Sequence, residues 1–181
     1  MNKLLKTVVL LAQIGGGLVG LGLIGRALLT EQLTEMALMI HVAFILVFLF
    51  GIVAGVVLIK KPKLGLLFSA VFQAMQIPII VGPTLAYALF SGVSFNVYKH
   101  ATGWGFNFLF GSRYSFSLNS GQPSVLGINL VAVVLFVLLV RESCRQAADA
   151  KFSEYSSRSA RPFAPMQTHP ADGSPLRRTL S

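Results

Sequence analysis

Two glutamines and two prolines in one apolar stretch are the residues whose chemistry stands out in this sequence. Gln73 and Gln76 lie one turn before Pro78, and Pro83 follows five residues later. In a helix, each proline removes a backbone donor and frees the carbonyl four residues earlier. Glutamine amides can satisfy such groups or hydrogen-bond across helices, and transporters line their paths with broken polar helices. Two interpretations stay open: a kinked helix held by polar contacts, or a permeation path.

His41 and Asn129 are isolated polar residues in two other apolar stretches. His41 follows Glu31 and Glu35, so it could act as a pH-sensitive switch or hydrogen-bond a neighbouring helix. Asn129 is predicted to hydrogen-bond between helices. With a single histidine in its apolar stretches, one chain cannot supply both axial ligands of a haem, although a symmetric dimer could.

The sequence contains no arrangement typical of a catalytic or metal centre. HExxH, GxSxG and P-loop motifs are absent, and the lone Cys144 excludes an intrachain disulfide and a CxxC site. We therefore expect no enzymatic activity, no metal and no cofactor.

The composition indicates a membrane protein. Of 181 residues, 54% are hydrophobic and 12% are charged, whereas soluble domains carry about 25% charged residues. The mean hydropathy is +0.72. These values exclude a one-domain soluble enzyme.

Four stretches approach the ~20 apolar residues that are needed to cross a bilayer. They cover residues 4–25, 36–59, 64–90 and 125–140. The first stretch has no signal-peptidase site before Arg26, so we expect it to stay uncleaved. The sequence predicts an all-α membrane protein with four transmembrane helices, followed by a cytoplasmic tail at 141–181 that begins helical and becomes disordered.

The basic residues predict the orientation. Twelve of the fifteen fall on one side of the four predicted spans, so both termini should face the cytoplasm of a bacterial inner membrane. We expect Lys60, Lys61, Lys63, Arg141 and Arg145 to lie beside lipid headgroups or to contact a cytosolic protein. Direct nucleic-acid binding is not expected.

Two pairs of glycines four residues apart predict close helix packing. Gly16 and Gly20 lie in the first span, and Gly51 and Gly55 lie in the second. Small residues at this spacing let two helix backbones approach. The contact could lie within one chain or between the copies of a homo-oligomer.

The link at 91–124 changes to the alternating pattern of β-strands. Gly111 and Ser112 separate two such runs, which predicts an extracytoplasmic β-hairpin between the third and fourth helices. Its aromatic side chains are Trp104, Phe106, Phe108, Phe110, Tyr114 and Phe116. This row could cover the helix bundle or recognise an external partner.

The run Gly105-Phe-Asn-Phe-Leu-Phe-Gly leads into Tyr114-Ser-Phe-Ser-Leu and then Gly127-Ile-Asn-Leu. With four spans and cytoplasmic termini, this pattern resembles the small membrane subunit of the Kiwa antiphage defence system. The resemblance implies a homo-oligomeric inner-membrane sensor that signals to a cytosolic DNA-binding subunit, and it assigns no functional residue.

Our first hypothesis is therefore an oligomeric membrane sensor or scaffold that couples the membrane to a cytosolic partner, with antiphage defence as its context. The alternative is a small channel or solute transporter lined by polar residues of the third helix.

Overall fold

The structure, a computed structural model, describes residues 1–30, 32, 34–119 and 121–159. The end of the tail predicted to be disordered, residues 160–181, lies outside the described residues. The helices are α1 (Lys3–Leu10), a π-helical turn (Leu11–Gly15), α2 (Gly16–Thr30), α3 (Glu35–Lys60), α4 (Pro62–Met75) and α5 (Leu130–Ser159). The strands are β1 (Pro78–Val81), β2 (Leu85–Phe90), β3 (Val93–His100), β4 (Gly103–Phe110), β5 (Arg113–Leu118) and β6 (Val125–Asn129).

The prediction of an all-α protein with four transmembrane helices is wrong. Among the described residues, two helices are long and apolar enough to cross a membrane by length and composition: the continuous helix Lys3–Thr30 and α3. The 14 residues of α4 extend about 21 Å, less than the ~30 Å of a bilayer's hydrocarbon core. The rest of the predicted third span and the start of the predicted fourth are β-strands.

Pro78 ends a helix instead of kinking one. The proline ring disfavours helical geometry at the residue before it, Ile77, and α4 stops at Met75. Pro78 is then the first residue of β1, a position that suits a residue without an N–H group. Pro83 lies in the turn between β1 and β2. Neither proline therefore supports a kinked third helix.

Asn129 marks the boundary between β6 and α5. Its Oδ1 accepts a hydrogen bond from the backbone N–H of Ala132 at 3.4 Å, the usual contact of a helix N-cap. The same oxygen accepts the N–H of Phe95 at 3.3 Å. Asn129 therefore joins a helix start to strand β3, in place of the predicted bond between helices.

The six strands form one antiparallel sheet in the order β4-β3-β6-β1-β2-β5. The predicted hairpin between β4 and β5 is wrong, because β4 pairs with β3 and β5 pairs with β2. Gly111 and Ser112 join the two strands without pairing them.

The short link between β4 and β5 requires the sheet to curl. In a flat sheet of six strands the outer strands would lie about 24 Å apart. The chain from Phe110 to Arg113 can span at most about 11 Å, yet it connects the two outer strands. The sheet therefore has a concave and a convex face.

Half of the convex face packs against the long helices. Tyr114 of β5 lies 4.8 Å from Phe44 and 6.1 Å from Phe48 between ring centroids, and Leu89 of β2 joins the same core with Ile24. Phe48 lies near the middle of α3, so β2 and β5 pack beside the first half of this helix. Beside its second half lie α4 and α5, through a core that includes Leu58, Leu66 and Leu139.

Candidate functional site: a polar basin inside the curled sheet

Buried amides lie between α4 and the π-helical turn. Gln13 accepts a hydrogen bond at its Oε1 from the hydroxyl of Ser69 at 3.1 Å. Within the described residues, the side-chain nitrogens of Gln13 and Gln73 have no hydrogen-bond partner. Gln73 is only 2% exposed and Gln76 only 1%. In this chain the two predicted glutamines therefore face the packed interior.

Hydroxyl and amide groups connect the sheet to the helices. Gln76 Oε1 accepts the backbone N–H of Ser91 at 2.8 Å, and the Ser91 hydroxyl donates to the carbonyl of Ala12 at 3.0 Å. The Ser112 hydroxyl donates to the Gly16 carbonyl at 2.6 Å. Ala12 lies in the π-helical turn and Gly16 directly follows it, and such turns are often found at functional sites.

The four glycines of the two predicted pairs all face close neighbours within the chain. A Cβ on Gly16 would meet the backbone of Ser91 and Gly92, and one on Gly20 would meet the ring of Phe48. Gly51 faces Phe72, and Gly55 faces Ile14. These glycines allow close contacts between helices and, at Gly16, between a helix and the turn that joins β2 to β3.

The concave face of the sheet encloses a basin of about 440 Å³. Asn96 forms part of its floor and is 4% exposed. Its Nδ2 donates to the Ser94 hydroxyl at 3.2 Å, whereas its Oδ1 has no partner among the described residues. The other lining residues that carry a polar group are Tyr87, Tyr98, His100, Asn107, Arg113, Ser115, Ser117 and Gln122.

The basin is positively charged, and none of the described residues that line it is acidic. The sequence has no aspartate or glutamate between Glu35 and Glu142, so every strand lacks one. Arg113 and His100 face the basin, and Lys99 lies on the opposite face of β3. An anion in the basin would meet no carboxylate from the sheet.

The predicted aromatic row is divided between two environments. Tyr114 and Phe116 pack against the helices, and Tyr114 also contacts the ring of His41 at 5.7 Å. His41 Nδ1 lies 2.6 Å from the carbonyl of Ala37, one turn earlier in α3. The other members of the row are exposed on β4: Trp104 (68%), Phe106 (66%), Phe108 (65%) and Phe110 (81%).

One group of basic residues lies at the end of the molecule opposite the sheet. Lys61, Lys63 and Gln146 line one shallow pocket, with Lys60 at the end of α3. The amino terminus forms an ion pair with Glu142, and Arg145 lies 3.1 Å from the same carboxylate. The hydrogen bond from the amino terminus lowers the pKa of Glu142, and weaker contributions come from Gln146 and Arg145.

Sequence reasoning missed the basin although its pattern was visible. Ser94 and Asn96 alternate with Val93, Phe95 and Val97, but we interpreted only the apolar positions. Gln13, which is fully buried, also received no role from the sequence. No local pattern indicated that β2 and β5 would contribute to the same basin as β3 and β4.

Within the described residues, no group of three or more His, Cys, Asp or Glu side chains could hold a metal ion. Comparison of the chain with family models, with curated proteins and with solved structures found no match.

Proposed function

We propose that this chain is a non-enzymatic, multi-pass membrane protein that assembles with copies of itself and acts as a sensor or scaffold. The observation that carries the proposal is the exposed aromatic strand β4, which among the described residues pairs with β3 alone. A cytosolic partner would contact the basic end of the molecule. Antiphage defence is the context suggested by the resemblance noted in the sequence.

The position of β4 along the long helices supports this proposal. Ser112, next to the end of β4, bonds the carbonyl of Gly16, which lies midway along the helix Lys3–Thr30. If that helix crosses the bilayer, the last residue of β4, Phe110, lies near the membrane centre. Trp104 then lies about 20 Å further out, beyond the ~15 Å of one hydrocarbon leaflet and at the interface that tryptophan prefers.

Lipid cannot cover the free edge of such a strand. Unpaired backbone N–H and C=O groups each cost several kcal/mol in hydrocarbon, so open sheet edges at this depth are covered by protein or line a water-filled cavity. The side chains beside this edge, Phe106 and Phe108, are apolar and exposed. A second copy of the chain would cover both the edge and the rings.

The mass of the detergent-solubilised protein tests self-association. Wild type should give a multiple of 19.5 kDa, and a double variant, Phe106→Ser with Phe108→Ser, should dissociate toward the monomer. The matched control is Leu46→Ser on α3, which is equally exposed at 62% but lies away from β4. A monomeric wild type, or equal dissociation of both variants, would refute the proposed interface.

The proposed orientation places both termini and the basic end in the cytoplasm. Cys144 is the single cysteine and is exposed near that end, so it serves as a native probe. A membrane-impermeant maleimide should label it only after the cells are permeabilised. Trp104→Cys in a Cys144→Ser background should be labelled in intact cells, and the reverse pattern would overturn the orientation.

Neutralising two basic residues tests whether the basic end contacts a cytosolic protein. Replacing Arg141 and Arg145 with glutamine should weaken crosslinking to a partner, whereas Lys99→Gln at the other end should not. No protein crosslinked to wild type would count against a scaffold.

A channel is the second candidate, and it rests on the buried amide nitrogens of Gln13 and Gln73 that have no partner among the described residues. The burial of Gln73 and Gln76 favours packing over a water-filled path. Ion flux through liposomes that contain the protein, abolished by Gln73→Leu, would decide for the channel.

A further inference from the structure

We propose that the concave basin binds a hydroxyl-rich anion of the sugar-acid class. The basin has a volume of about 440 Å³, within the ~300–1,000 Å³ that is usual for small-molecule sites. It lies on the opposite face of the sheet from the aromatic residues proposed for self-association. The proposal therefore does not depend on the oligomer.

The buried floor provides the first argument. Asn96 lies nine-tenths buried, and its Oδ1 lacks a partner among the described residues. A buried polar group without a partner is costly, so a ligand hydroxyl that donates to this oxygen would be favoured. The Asn96 side chain carries both an amide donor and a carbonyl acceptor, which suits a ligand with several hydroxyl groups.

The rim provides the second argument. Asn107, Ser115 and Ser117 contribute neutral hydrogen-bonding groups from β4 and β5, and Arg113 contributes a guanidinium. Arginine binds carboxylate and phosphate through two parallel hydrogen bonds. Since every strand lacks aspartate and glutamate, the sheet offers Arg113 no competing carboxylate. The charge of the basin therefore selects an anion over a neutral or cationic solute.

Calorimetric titration of the protein in phosphatidylcholine nanodiscs tests the inference, with D-glucuronate as the probe and D-glucose as its uncharged counterpart. Wild type should bind glucuronate saturably and glucose at least ~10-fold more weakly, because a hydrogen bond to a charged group is lost. Arg113→Gln should lose a similar factor for glucuronate. Arg113 is exposed, so this variant should fold.

Lys99→Gln is the matched control, because it removes a positive charge from the other face of the same sheet. It should leave glucuronate binding unchanged. Binding reduced equally by Lys99→Gln and Arg113→Gln would show attraction by net charge alone and would overturn the site.

Absence of saturable binding of either probe would refute the inference. The double variant Phe106→Ser with Phe108→Ser should still bind glucuronate, so failure of self-association and failure of the basin give different results.

Discussion

Replacement of Gly16 by alanine tests the central contact between sheet and helix. A Cβ on Gly16 would lie 2.7 Å from the carbonyl carbon of Ser91 and closer still to the backbone nitrogen of Gly92. Both atoms are backbone, so they cannot move aside as the end of a side chain would. The φ of Gly16 is −63°, so alanine introduces no backbone strain at this position.

The neighbouring Gly15 is the matched control, since a Cβ there meets nothing within 4 Å. Alanine improves helix propensity by about 1 kcal/mol at either position, but only at Gly16 does overpacking subtract about 1–3 kcal/mol. The Gly16→Ala protein should therefore be less stable than Gly15→Ala by about 1–3 kcal/mol. At ~2–4 °C per kcal/mol for a chain of this size, its Tm in detergent should be lower by about 2–12 °C. Equal Tm values would refute the docking of β2 and β3 on the π-helical turn.

Three further predictions concern single contacts. Asn129→Ala removes the N-cap of α5, so it should lower the free energy of unfolding by about 1–2 kcal/mol, whereas Asn107→Ala on the exposed rim should change it little; denaturant titration measures both. Tyr87→Phe deletes the hydroxyl that donates to the Met75 carbonyl at 2.7 Å, and the same titration should show a loss of about 1 kcal/mol; no change would mean that this bond adds no stability. The lowered pKa of Glu142 contributes stability that is present above its ordinary pKa of 4.5 and lost as the pH falls through the lower folded value, so wild type should lose more Tm than Glu142→Gln between pH 7 and pH 3.

The two long helices could be predicted because length and hydropathy determine whether a segment can cross a bilayer. The same criterion failed at Pro78–Val81 and Val125–Asn129, where short apolar runs rich in isoleucine and valine fit either a helix or a strand. The restriction that Pro78 places on the backbone of Ile77 favoured a strand over a helix, but we interpreted the proline as a kink. The alternating runs indicated β3, β4 and β5 correctly as strands. Their partners could not be predicted, because β6 pairs with β1 and β3 across long sequence separations.

The place of β6 in the sheet also sets an order for folding. The strands β5, β2 and β1 form one paired group, and β3 with β4 forms another; only β6 joins the two. It is the last strand that the ribosome makes, so the sheet cannot close during synthesis of the first 124 residues. Long-range pairings of this kind form slowly. The packing of α4 against α5 also forms only after β6 is made, because α5 follows β6 in the chain.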